Sequence, residues 1–78
     1  MTIAEANEPF ASGVRAILAE KGLKNIHVAE KARYTSQELS DMLCGRRLIK
    51  ACDIPKLAGA LEVGVGDIYS VGAKKRVH

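Results

Sequence analysis

The residues best suited to chemistry in this 78-residue chain are cations crowded into one short stretch. Arg46, Arg47, Lys50 and Lys56 stand close together, with Asp53 as the only acid among them. Guanidinium and ammonium groups at that density suit phosphate, and the same stretch also reads as a solvated loop. The net charge is +3 and unevenly spread. Glu5 and Glu8 open the chain without a base, and Lys74, Lys75 and Arg76 near its end have no acid beside them. Other chemistries find little footing. Cys44 and Cys52 are the only cysteines, and no histidine completes a zinc set with them. Both are expected as free structural thiols packed like small hydrophobes, without metal and without a disulfide. His27 is expected on an outer helix face, and His78 is terminal. With no Ser–His–Asp or Cys–His grouping and no phosphate-cradling glycine loop, neither an enzyme nor a cofactor is expected.

The elements that must hold the cations in place can be read from the apolar pattern. With no tryptophan, one Phe and two Tyr, the core must be aliphatic, which favours short packed helices over a β-sandwich. The spacing predicts an all-α chain of five helices. The first runs from about Pro9 to Lys21, with Phe10, Val14, Ile17 and Leu18 on one face. The second runs from Asn25, its expected N-cap, to Ala32, with Val28, Ala29 and Ala32 turned inward. In the third, Thr35-Ser36-Gln37-Glu38 forms a capping box, Leu39, Met42 and Leu43 repeat at helical spacing, and Gly45 stops the helix. The fourth runs from Asp53, its expected cap, to about Leu61, with Leu57, Ala58 and Leu61 inside and Gly59 in the middle. The fifth covers Val65 to Val71, with Ile68 and Tyr69 packed. Residues 1–8 are expected to be mobile, 9–71 to form the domain, and 72–78 to form a basic tail. No stretch is apolar for long enough to span a membrane. The absence of a signal-peptide pattern points to the cytoplasm.

The second and third helices make the informative unit. Eight helical residues, a short break and a capped nine-residue helix have the dimensions of a DNA-binding helix-turn-helix. Ala29 supplies the small residue at the crossing, and Tyr34 supplies an apolar plug in the turn. Leu39, Met42 and Leu43 hide, while Ser36, Gln37, Ser40 and Asp41 face out. The stretch from Asn25 to Gly45 resembles the lambda-repressor and Cro-like (XRE-type) helix-turn-helix family without a gap. The likeness continues through Leu57–Val63 and Val65–Tyr69, which look like the family's fourth and fifth helices. Arg33 stands where the family usually has glycine, so the turn requires Arg33 in a left-handed conformation.

That resemblance implies a compact lambda-repressor-like domain that binds duplex DNA as a small transcriptional regulator of repressor type. It places the recognition helix, residues 35–43, in the major groove. Ser36 and Gln37 would be the principal base readers, with Ser40 and Asp41 beside them. Asn25, Thr35, Arg46, Arg47 and Lys50 would meet phosphates. The chemistry agrees: Gln can pair with adenine at two points, Asp can accept from cytosine, and loop arginines fix register. A weak homodimer through Ile68, Tyr69 and Val71 would supply two half-sites. Glu38 and Asp41 make the recognition helix acidic. A protein-interaction module, or an antitoxin-like regulator with a protein partner, therefore stays open as the alternative on the same scaffold.

Overall fold

The computed structural model describes residues 1–75, and Arg76 and His78 of the expected basic tail lie outside them. Six helices follow one another: α1 (Ile3–Asn7), α2 (Phe10–Lys21), α3 (Asn25–Ala32), α4 (Ser36–Cys44), α5 (Asp53–Leu61) and α6 (Val65–Lys75). No strand occurs among the described residues. The all-α architecture agrees with the helical periodicity of the apolar residues, and two differences stand out. A sixth helix, α1, occupies the segment expected to be mobile. Its start carries the same capping box as α4, with the Glu5 N–H donating to Thr2 Oγ1 at 3.1 Å and the Thr2 N–H to Glu5 Oε1 at 3.1 Å. At the other end, α6 runs past Val71 to Lys75, so the expected tail is partly helix.

The helix boundaries in the middle of the chain follow local signals. Thr35 caps α4 through a complete box, its Oγ1 accepting from the Glu38 N–H at 3.0 Å and its N–H donating to Glu38 Oε1 at 2.8 Å. Asn25 and Asp53, the expected caps, are instead the first helical residues, behind Lys24 and Cys52. Asp53 turns its carboxylate back to the loop, where Oδ2 accepts the Lys50 N–H at 2.9 Å. Arg33 ends α3 at φ 66, the left-handed conformation that the turn demands, and Glu62 ends α5 the same way at φ 59. Long cationic side chains satisfy two helix C-termini across the fold. Arg15 donates to the Leu43 carbonyl at 2.6 Å, and Lys21 to the Leu61 carbonyl at 3.0 Å.

The inward stripes converge on one aliphatic core. Val14, Val28, Leu39, Met42, Leu57, Leu61 and Ile68 are fully enclosed, with Phe10, Ile17, Leu18, Ala29 and Ala32 around them. α6 lies along α2 at glycine contacts. A Cβ on Gly13 would stand 2.0 Å from the Ile68 carbonyl oxygen, and one on Gly72 would stand 1.9 Å from that of Pro9. Ile68 is therefore wholly inside the monomer and does not reach the dimer seam expected from the sequence. Tyr69 stays at the surface with its ring 5.4 Å from Phe10, and Val71 is partly buried. The thiols also differ from expectation: Cys44 and Cys52 are free but exposed, at helix ends rather than in the core. Among the described residues, no helix is long and apolar enough to cross a membrane.

Candidate nucleic-acid interface

α3 packs against α4; Ala29 is completely buried on the inner side of α3, and Tyr34 packs its ring against the core from the turn between them. The Tyr34 hydroxyl donates to Asp53 Oδ1, so the turn is bolted to the start of α5. Burial and the neighbouring Asp53 carboxylate push the Tyr34 phenol well above its usual range, leaving it a permanent donor. Two cations flank the same ring. The Arg47 guanidinium lies 5.9 Å and the Lys56 ammonium 5.6 Å from its centroid.

With Leu39, Met42 and Leu43 in the core, the opposite side of α4 is presented outward. Ser36 and Gln37 are exposed in its first turn, and Ser40 and Asp41 are partly exposed one turn further. The acids on this helix are not free. Gln37 Nε2 donates to Asp41 Oδ1 at 2.9 Å, and Arg46 Nη1 approaches the same oxygen at 3.5 Å. Glu38 serves the capping box and also accepts from Arg47 Nη1 at 2.7 Å. The Thr35 N–H and Arg47 together hold the Glu38 carboxyl below its ordinary range, and Glu38 in turn raises Arg47. These pairs are solvent-facing, so each adds little to stability. Their effect is on charge: the acidic helix and the basic loop neutralise one another locally.

The other expected phosphate contacts surround this face. Asn25, exposed at the first turn of α3, shares a groove of about 450 Å³ with Arg15, Leu23, Ser40 and Cys44, which brings it beside α4. Thr35 keeps its exposed hydroxyl hydrogen, because the capping bond uses only an oxygen lone pair. Arg46 is 70% exposed at its side chain, and Lys50 is exposed at the foot of the loop.

One residue that sequence reasoning passes over organises this loop. Asn7, buried at the end of α1, donates from Nδ2 to the carbonyls of Met42 and Arg47, both at 2.9 Å. Its Oδ1 accepts the Ile49 N–H at 2.8 Å. α1 reaches the loop because Gly45 has no side chain; a Cβ there would stand 2.6 Å from that of Ala4. The Thr2-x-x-Glu5 capping box is the sequence signal for α1, but nothing local marks Asn7 as a partner of the loop.

No protein-family model matches the chain, and no curated protein matches it. Solved structures do. A crystal structure of the clp gene regulator ClgR from Corynebacterium glutamicum superposes with a TM-score of 0.82 at 24% identity, covering 92% of this chain and 94% of that one. A second structure of ClgR from the same organism gives a TM-score of 0.80 at 24% identity, with 90% of this chain and 74% of that one covered. At this identity the likeness establishes a shared fold.

Proposed function

We propose that this chain binds duplex DNA through α4 in the major groove and acts in the cytoplasm as a small transcriptional regulator of repressor type. The observation that carries the reading is the division of α4. Its core-facing side is fully apolar, while Ser36 and Gln37 stand exposed in its first turn beside a loop bearing Arg46, Arg47 and Lys50. A helix of this build can place polar side chains on base edges while the flanking cations hold the two backbones. Ser36 and Gln37 are the leading base readers, with Ser40 and Asp41 one turn on. Asn25, Thr35, Arg46, Arg47 and Lys50 are the phosphate contacts. The solved structures of similar fold are described as those of a gene regulator, which agrees with this reading. One short helix reads few base pairs, so the domain is proposed to act on two half-sites as a weak dimer. Tyr69 and Val71 would remain at the seam, without Ile68.

The test is a binding titration across salt, with a random duplex and with DNA from upstream of the chain's own gene. Replacing Arg46 and Arg47 with Ala is expected to weaken both duplexes alike and to flatten the log–log salt slope by about 0.9 for each phosphate no longer neutralised. Gln37→Ala is expected to cost ~1–3 kcal/mol on the preferred site and to relax one position, leaving random duplex nearly unchanged. If all these variants bind as the wild type does, α4 is not in a groove. The paired acids Glu38 and Asp41 on this face favour a protein partner as the second reading in that event.

A further inference from the structure

We infer that Asn7 is the positioning residue for the phosphate-binding loop, so that α1 sets how tightly the domain holds DNA. The inference rests on the DNA-binding reading above and concerns a residue that touches no nucleic acid itself. Between α4 and α5 the chain leaves helical geometry, and its backbone groups must find partners outside any ladder. The first part of the loop is held by α4 itself, with the N–H groups of Arg46 and Arg47 both donating to the Asp41 carbonyl, at 2.8 and 3.1 Å. Beyond Arg47 that support ends; Asn7 takes over as far as Ile49, and Asp53 receives the Lys50 N–H at the loop's foot. The Asn7 amide spends both hydrogens on Met42 and Arg47 and its oxygen on Ile49, and so binds the last turn of α4 to the far side of the loop. Asn7 is only 2% exposed, so in the folded protein these groups are satisfied by its amide and not by bulk solvent. Leu48, between the two gripped residues, is 43% exposed and contributes little anchorage of its own.

The consequence falls on the cations. Arg46, Arg47 and Lys50 can meet phosphates in register with Ser36 and Gln37 only while the loop backbone is fixed relative to α4. Without the Asn7 amide, the buried Met42 carbonyl and the partly buried Arg47 carbonyl and Ile49 N–H would lose their partner, a costly state. The loop relieves it by opening to solvent and carrying the cations away from their places. α4 itself keeps its capping box and its core stripe, so base preference is unaffected.

The experiment compares wild type with Asn7→Ala, reading amide hydrogen exchange and DNA binding together. In the wild type the Ile49 amide is expected to be protected and both duplexes to bind with a steep salt dependence. In Asn7→Ala the Ile49 amide is expected to exchange faster while the amides of Leu39 and Leu57 stay protected. Affinity for random and preferred duplex should fall together, by roughly tenfold for each cation drawn off its phosphate, with the salt slope flatter by about 0.9 per phosphate. A merely structural role would lower the unfolding temperature and leave the slope alone. Unchanged Ile49 exchange, or faster exchange with wild-type affinity and slope, overturns the inference. Should Asn7→Ala not fold, Thr2→Ala decides. It removes the exposed cap of α1 without touching the core, and the same decline is expected in smaller measure; wild-type affinity and slope in that variant overturn the inference. Failure of the wild type to bind either duplex at low salt would remove the DNA reading, and this inference with it, before any variant is compared.

Discussion

Asp41 and Asp53 show how the same side chain does different work in two settings. Asp41 is partly exposed on α4, where it accepts from Gln37 and faces Arg46. In the free protein it therefore restrains Gln37 and shares the charge of Arg46. If that restraint is its main effect, Asp41→Asn is expected to tighten binding to every duplex and steepen the salt dependence, because Arg46 becomes fully available. A loss confined to the preferred site would instead assign it to a cytosine, and the same titration separates the two. Asp53 is buried. Burial alone would raise its carboxyl, but the Tyr34 hydroxyl, the Lys50 N–H and the charges of Arg47 and Lys56 outweigh it and hold it below the usual range. A carboxyl depressed by folding contributes stability that is complete above its unfolded pKa and is lost as pH falls through the folded one. Urea unfolding is expected to show a plateau above about pH 5 and a decline below about pH 4. Asp53→Asn should cost about 1–3 kcal/mol at neutral pH, since the amide loses the charge-assisted bonds and can accept only one of the two donors, Tyr34 or Lys50, and should make the acid decline shallower. Glu8, where hydrogen bonds outweigh partial burial, and Glu38 are also held low and keep part of that decline in place.

At the scale of the element, the helices carry both the signals that place them and local costs that can be removed. Arg33 and Glu62 occupy the left-handed region at the ends of α3 and α5, where a side chain is disfavoured. Arg33→Gly and Glu62→Gly are each expected to stabilise the domain by about 0.5–1 kcal/mol in urea unfolding. Glu62 forfeits little by this, since its contact with Lys31 at 3.9 Å is between two exposed side chains. Gly59 lies mid-helix in α5, and beyond its own stretch of helix no atom lies within 4 Å of where a Cβ would go. Gly59→Ala is therefore expected to gain up to ~1 kcal/mol from helix propensity. Equal or lower stability in these variants would mean that the unfolded chain, rather than the folded conformation, dominates the change.

At the scale of the molecule, the first and last helices close the fold. α6 returns along α2 and meets α5, while α1 crosses to α4 and the loop after it, so the helix-turn-helix is braced directly by α1. The α2–α6 approach depends on absent side chains, because a Cβ on Gly13 or Gly72 would overlap the facing carbonyl oxygens. Gly13→Ala is expected to cost about 1–3 kcal/mol or more by overpacking. For a domain of this size that corresponds to roughly 4–8 °C of melting temperature per kcal/mol, read by circular dichroism. An unaltered melting curve would show that α6 can move off α2 without loss. The same packing removes Ile68 from the outer surface and leaves, of the expected seam residues, Tyr69 and the partly buried Val71.

Local chemistry determined what could be read without the fold. The stripes of α2 to α6, the Thr35–Glu38 box and the stop at Gly45 all follow from residues within four positions of each other, because helix periodicity and capping are short-range. The left-handed Arg33 followed only from the resemblance that put a tight turn there. Thr2 and Glu5 carry an equally local signal for α1, which the expectation of a mobile segment 1–8 passed over. What only the tertiary structure decided is which groups meet across the chain. Asn7 finds Met42 and Ile49 at separations of 35 and 42 residues, and Tyr34 finds Asp53 at 19. The exposed acids of α4 find the loop arginines through the path of the loop rather than through a helical repeat. Such partnerships depend on where helices cross in space, and no spacing along the sequence encodes that crossing. The order of the candidate surface was therefore readable from the residues, while its bracing and its charge balance came from packing.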